Sequence, residues 1–278
     1  MKYLNIFSRM IPFFFFYLAF CRIPFPVSAE SVKIIVYFYS SETNINNLNL
    51  LKTEFDSYFS GFGPYEFQPV KKKEEFEKYL SGKTKSLFLL SSWHYNNIHQ
   101  AYFLRPVLVG LRDGQRYQKR ILVGKGGSAG AEDAKTAVIA SATSIVHTKG
   151  ILGEIFKNED SAAGADILTV PKDIDALMSV SLGMSQYALT TENSLETLKN
   201  VHPQLYKDMK IVAEGKNSLL LIMAFSDRDM KEDKDILKLI EIIQNMPLTP
   251  EGKNKIKMFG LDGWQRIDSP DDLKTEAK

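Results

Sequence analysis

The chain has 278 residues, with 35 Lys and Arg against 33 Asp and Glu, 44% hydrophobic residues and a single Cys. This composition excludes a disordered, collagen-like or disulfide-stapled chain. The net charge of +2 gives no basic footprint for nucleic acid, so no nucleic-acid partner is expected.

Residues 1–29 read as an export leader. Lys2 and Arg9 form a positive head, and an apolar block runs from Ile11 to Cys21. Val27-Ser28-Ala29 then offers a small-residue cleavage site before Glu30. The apolar block is well short of the roughly 20 residues that span a bilayer, and Arg22 interrupts it. Leu18-Ala19-Phe20-Cys21 is a poor lipidation motif, because Phe20 is large where a small residue is wanted. Cleavage is therefore expected over anchoring, giving a periplasmic protein with no Cys, and hence no thiol nucleophile, disulfide or thiolate metal site.

Continuous apolar runs follow in the order Lys33–Tyr39, Ser86–Leu90, Thr136–Ala140, Ala165–Val170, Gln186–Thr190 and Ser218–Phe225. Such runs suit strands buried on both faces. Between them, Leu48, Leu51, Phe55 and Phe59 recur at helical spacing, stopped by Gly61-Phe62-Gly63-Pro64. Phe76, Tyr79 and Leu80 predict a helix ended by Ser81-Gly82, and Ile174, Leu177, Met178 and Ser181 predict one opened by Pro171 and Asp173. Ile236, Leu239, Ile240 and Ile243 line one face of a charged helix. Thr249-Pro250-Glu251 opens the last, with Thr as cap and Pro at the first helical position. Alternation of strand and helix predicts an α/β fold with mostly parallel sheets. Val107–Gly110 and Arg120–Val123, joined through Arg112-Asp113-Gly114-Gln115, break the rhythm as either a hairpin or a crossing between two lobes. The polar tail from Asp268 to Lys278 is expected to fray.

Gly126-Gly127-Ser128-Ala129-Gly130 matches the nucleophile elbow of hydrolases. Only Ala131–Lys135 separate it from the next apolar run, too few for the helix that an elbow feeds, so no catalytic residue is assigned. His94, His99, His147 and His202 form no spaced ligand set, so neither metal nor cofactor is expected. The informative residues lie just beyond strand C-termini, where open α/β sheets bind ligands. They are Tyr39 and Ser40, then Ser92, Trp93 and His94, then Ser141, Thr143 and Ser144, and finally Thr190 and Thr191. Hydroxyls and free amides at helix starts suit anions. Trp93 is either core packing or a cover on a ligand.

The order of these parts, and the segments Ser86–Tyr95, Leu104–Gly114, Ala176–Thr191, His202–Tyr206 and Met246–Gly252, resemble the type 2 periplasmic solute-binding proteins of the phosphate, phosphite and phosphonate branch of ABC transporters. The resemblance implies a two-lobed periplasmic-binding-protein-like fold, each lobe a mixed, mostly parallel sheet flanked by helices. Lobe one would take residues 30–115 and the return 226–278; lobe two would take 116–225. It further implies a non-enzymatic monomer that binds a phosphate- or phosphonate-like oxyanion in the cleft and docks on a membrane permease, with Ser141, Thr143 and Ser144 as the anion contacts. Gln186 stands where that branch often has Asp. The alternative is a carrier or sensor of the same fold for an apolar or lipid ligand.

Overall fold

The computed structural model describes residues 33–42, 47–127, 130–226 and 233–273. The leader, Cys21 and Ser128 of the elbow-like motif lie outside them. The first half runs β1 (Ile34–Tyr39), α1 (Leu48–Ser60), β2 (Tyr65–Pro69), α2 (Lys73–Leu80), β3 (Ser86–Leu90), α3 (Ser92–Tyr102), β4 (Leu104–Leu111), β5 (Tyr117–Lys125), β6 (Val138–Ser141) and α4 (Ile145–Phe156). The second half runs β7 (Asp166–Thr169), α5 (Asp173–Ser181), β8 (Tyr187–Thr191), α6 (Glu192–Val201), α7 (Pro203–Tyr206), β9 (Met209–Leu219), β10 (Ile222–Ser226), α8 (Lys234–Gln244), α9 (Pro250–Lys257) and β11 (Gly263–Arg266). Among the described residues, no helix is long and apolar enough to cross a membrane.

The strands form two sheets, ordered β11-β4-β10-β3-β1-β2 and β7-β6-β8-β5-β9. β1, β2 and β3 run parallel, as do β6, β7 and β8. β10 and β11 join the first sheet antiparallel, and β5 lies antiparallel between β8 and β9 in the second. Because successive side chains point to opposite faces, each sheet carries a core on both sides. In the first sheet, Val36, Phe38, Leu87 and Leu89 pack on Leu51, Phe55, Leu239 and Ile256 of α1, α8 and α9. Tyr37, Phe88 and Leu90 pack on Phe76, Leu80, Tyr95 and Ile98 of α2 and α3. In the second, Ile121, Val123 and Ala188 meet α5 and α6, while Leu122, Ile139 and Leu189 meet α4.

The helix signals hold where a cap backs the apolar stripe. Asp233 accepts from the amides of Asp235 and Ile236 and starts α8. Thr249 Oγ1 accepts from Gly252 N at 3.1 Å and starts α9, with Pro250 next to it. Thr249→Ala is expected to lower stability by about 1 kcal/mol, read as a shift of the urea midpoint at unchanged slope.

The pair β4 and β5 is a crossing rather than a hairpin, since the two strands belong to different sheets. Asp113 and Gly114 both take positive φ, 52° and 71°, and Arg112 and Gln115 exchange backbone hydrogen bonds across that turn. The Arg112 guanidinium donates to Gly260 O, and Asp113 N donates to Asp262 Oδ2. The single strand expected over Ser218–Phe225 divides into the end of β9 and β10. β10 already belongs to the first sheet, so the return crossing precedes the boundary expected at Phe225. The segment 268–273 is also folded, against the expected fraying: Arg116 donates to Asp272 O, and Asp272 Oδ2 accepts from the amides of Asp268 and Ser269.

Candidate functional site

In both sheets the parallel strands end toward the seam between the lobes. The loop after β1, the start of α3 after β3, and the starts of α4, α5 and α6 after β6, β7 and β8 bring their polar residues there. Ser144 N donates to Ser41 O at 2.9 Å across the seam. The Trp93 ring lies edge-on to His147, centroids 5.2 Å apart. Gly150, one turn further along α4, lies beside the indole, where a Cβ would make ordinary contact 3.5 Å from its nitrogen.

The centre of the seam is a buried cluster of ionisable groups. Arg120, heading the apolar run of β5, is 3% exposed; its Nη1 donates to Asp173 Oδ1 at 2.7 Å and its Nη2 reaches Glu42 O at 3.4 Å. Glu42, 8% exposed, accepts from Gln118 Nε2 at 2.9 Å through Oε2. Three groups here lack hydrogen-bond partners: Glu42 Oε1, Arg120 Nε and both ring nitrogens of His147. The Trp93 amide and Ser91 hydroxyl lie near enough to favour an ionised Glu42, but neither completes a bond to Oε1. Burial pushes the Glu42 carboxyl above the usual range, outweighing the pull of Arg120. His147, 2% exposed, is pushed down to about 3, chiefly by burial and then by Arg120, and is neutral at physiological pH.

The Ser and Thr hydroxyls expected at the site are present, each with at least one internal partner. Thr143 Oγ1 pairs with Thr148 Oγ1 at 2.8 Å, and Thr148 donates to Ser141 Oγ at 3.0 Å. Ser144 Oγ accepts from His147 N and caps α4. Thr190 Oγ1 donates to Asp173 O, which ties β8 to the start of α5. Thr191 caps α6, and Ser92 Oγ donates to Leu219 O at 2.6 Å, joining α3 to the return crossing. Ser40 Oγ accepts from Glu42 N and shapes the loop after β1.

Two expected contacts turn away from the seam. His94 is fully buried in the first lobe, where Nε2 meets Glu77 Oε1 at 2.9 Å on α2 and the ring packs on Phe76. Tyr39 packs on the same Phe76 and His94. On the first turn of α3, His94 follows Trp93 by about 100° of helical rotation, so Trp93 faces the seam and His94 the α2 side. Gln186 lies at the start of β8, the end remote from the seam, where Oε1 accepts from Val138 N. Glu42, Gln118, Arg120, His147, Thr148 and Asp173 were missed as site residues. One signal was available for Arg120: it is a charge set directly against the buried run Ile121–Val123.

No family model matches the sequence, and no curated protein matches it. Solved structures do match. A binding protein component of an ABC phosphonate transporter from Pseudomonas aeruginosa superposes with TM-score 0.60 at 13% identity, covering 87% of this chain and 83% of that one. A Prochlorococcus marinus protein in complex with methylphosphonate gives 0.58 at 11% identity, covering 87% and 95%. A Xanthomonas citri protein bound to ATP gives 0.57 at 12% identity, covering 86% and 92%. The chain has the two-lobed, type 2 periplasmic-binding-protein fold. In this fold the seam that buries Arg120 and His147 is the cleft between the lobes.

Proposed function

We propose that the chain is an extracytoplasmic solute-binding protein of an ABC transporter, closing on a phosphate- or phosphonate-like oxyanion between its lobes. One observation carries this reading: a buried guanidinium nitrogen and a neutral imidazole without partners, set where strand ends and the capped helices α3, α4 and α6 converge. Likeness in fold to the Pseudomonas and Prochlorococcus proteins supports it. Opening the seam breaks the Ser144–Ser41 and Arg120–Glu42 contacts. An oxyanion then takes Arg120 Nε, the His147 ring and the hydroxyls of Ser141, Thr143 and Ser144, and the lobes reclose. The closed form docks on a membrane permease after the leader is removed. The protein's task is to hold and present a solute, with no bond made or broken.

A ligand that binds only the folded state at about 100 times its dissociation constant adds roughly 2.7 kcal/mol of stability. Methylphosphonate or phosphate is therefore expected to raise the melting temperature of the chain lacking residues 1–29, with the rise reduced in Thr143→Ala/Ser144→Ala. Absence of a rise with every oxyanion of a panel including phosphite would overturn the proposal.

A further inference from the structure

The first turn of α3 is held from three directions, and Trp93 stands among them. Ser91 caps the turn, and its Oγ lies 3.3 Å from Ser41 Oγ on the loop after β1. Ser92 Oγ donates to Leu219 O on the return crossing. His94 Nε2 meets Glu77 Oε1 of α2 at 2.9 Å, and the Lys73 ammonium lies 3.7 Å from the same oxygen. At about 100° of rotation per residue, Ser92 and His94 flank Trp93 around the helix axis. Both neighbours of Trp93 are thus tied to the first lobe, while its own ring reaches across to His147 on the second.

Packing alone does not account for His94. Its ring is fully buried against Phe76 and Tyr39, and Nδ1 has no partner there. An apolar side chain would fill the same space without leaving a polar atom bare. What the imidazole adds is direction, a single hydrogen bond of fixed geometry from the start of one helix to its neighbour. A rotation of α3 that breaks this bond carries the indole with it, away from α4.

We infer that His94 and Glu77 are positioning residues, whose bond fixes the rotation of α3 and so holds Trp93 across the seam to close on a bound solute. The inference rests on the proposed oxyanion site for its effect on affinity, but on the geometry of α3 alone for its effect on Trp93.

The test uses the fluorescence of Trp93. The chain has two Trp, and Trp264 Nε1 has no partner, so Trp264→Phe breaks no bond and leaves Trp93 as the one indole emitter. In that background, lacking residues 1–29, Glu77→Ala is expected to red-shift Trp93 emission and raise its quenching by acrylamide. Calorimetric affinity for the tighter of phosphate and methylphosphonate is expected to fall about fivefold, the drop in correctly held chains when one hydrogen bond of ordinary strength is lost. Glu77→Gln keeps an acceptor oxygen and is expected to restore both readings. Thr249→Ala, which weakens α9 instead, should change neither, separating positioning from general stability. The Glu77 side chain is 24% exposed, so its truncation leaves no sealed void, and circular dichroism checks the fold. An unmoved Trp93 signal in Glu77→Ala overturns the inference. So does a freed Trp93 with unchanged affinity, or a Gln variant as impaired as the Ala one. If neither anion binds the unaltered chain while Glu77→Ala frees Trp93, the oxyanion reading falls and the positioning of Trp93 stands.

Discussion

Arg120→Met is expected to lower stability by about 3–5 kcal/mol, the usual result of removing one member of a buried charge pair. The Arg120 side chain is 4% exposed and that of Asp173 22%, so the Asp carboxylate left behind has little water to replace its partner. The same substitution removes the donor to Glu42 O, which ties the second sheet to the loop after β1. Two effects should therefore appear together: a lower urea midpoint and a larger radius of gyration from lobes held apart. Asp173→Asn added to Arg120→Met separates them. It removes the stranded charge, so stability should recover in part while the lobes stay apart, giving an interaction energy well above 1 kcal/mol in the double-mutant cycle. Additive losses would mean that the pair contributes nothing as a pair.

Acidification is expected to destabilise the closed seam through His147. Its folded pKa is pushed down to about 3 from 6.5, so the opened or unfolded chain binds a proton that the closed form refuses. Stability attributable to this residue is full above pH 6.5. It falls as pH drops from there toward 3, by about 1.4 kcal/mol per pH unit. Arg120 faces the ring from β5 and strengthens the effect. Glu42 acts with the opposite sign. Its folded pKa is raised, so protonation favours the closed form and the charged carboxyl burdens it as pH rises through the folded value. His147→Leu separates the two: the loss between pH 6.5 and 4 should nearly vanish, leaving the opposing trend of Glu42. Urea midpoints at half-unit pH steps check this, and an unchanged acid slope in His147→Leu would refute the assignment.

The residues that announced the fold are those whose local pattern and burial agree. Ser86–Leu90 is apolar because both faces of β3 are covered, and Thr249-Pro250-Glu251 starts α9 because the cap, the proline and the dipole all favour it. β2, β9 and β11 lie at sheet edges and carry no continuous apolar run, although β7, also at an edge, does. There one side of the ladder is open, and residues such as Lys210, Glu214 and Lys216 of β9 read as loop. At the site, the strand-end rule found the neighbourhood, since hydroxyls that cap helices also lie where strands end. It did not separate Trp93 from His94, adjacent in sequence but about 100° apart around α3. Nor did it find Glu42, Arg120 and Asp173, whose meaning arises only when two lobes meet. A lone charge in a loop or at the head of a strand has no periodicity to give it away.

The placement of β10 between β3 and β4 sets an order of assembly. All strands of the second sheet come from one uninterrupted stretch, 117–219, so that half can complete its ladder as soon as the stretch has emerged. The first sheet has the earliest strands of the chain but a gap at its centre until Ile222–Ser226 arrives, more than a hundred residues after β4. Pairings so distant are slow to form, and the apolar edges of β3 and β4 stay open meanwhile. The half that begins the chain is therefore the half that finishes last, and the one most in need of protection until the final strands are in place.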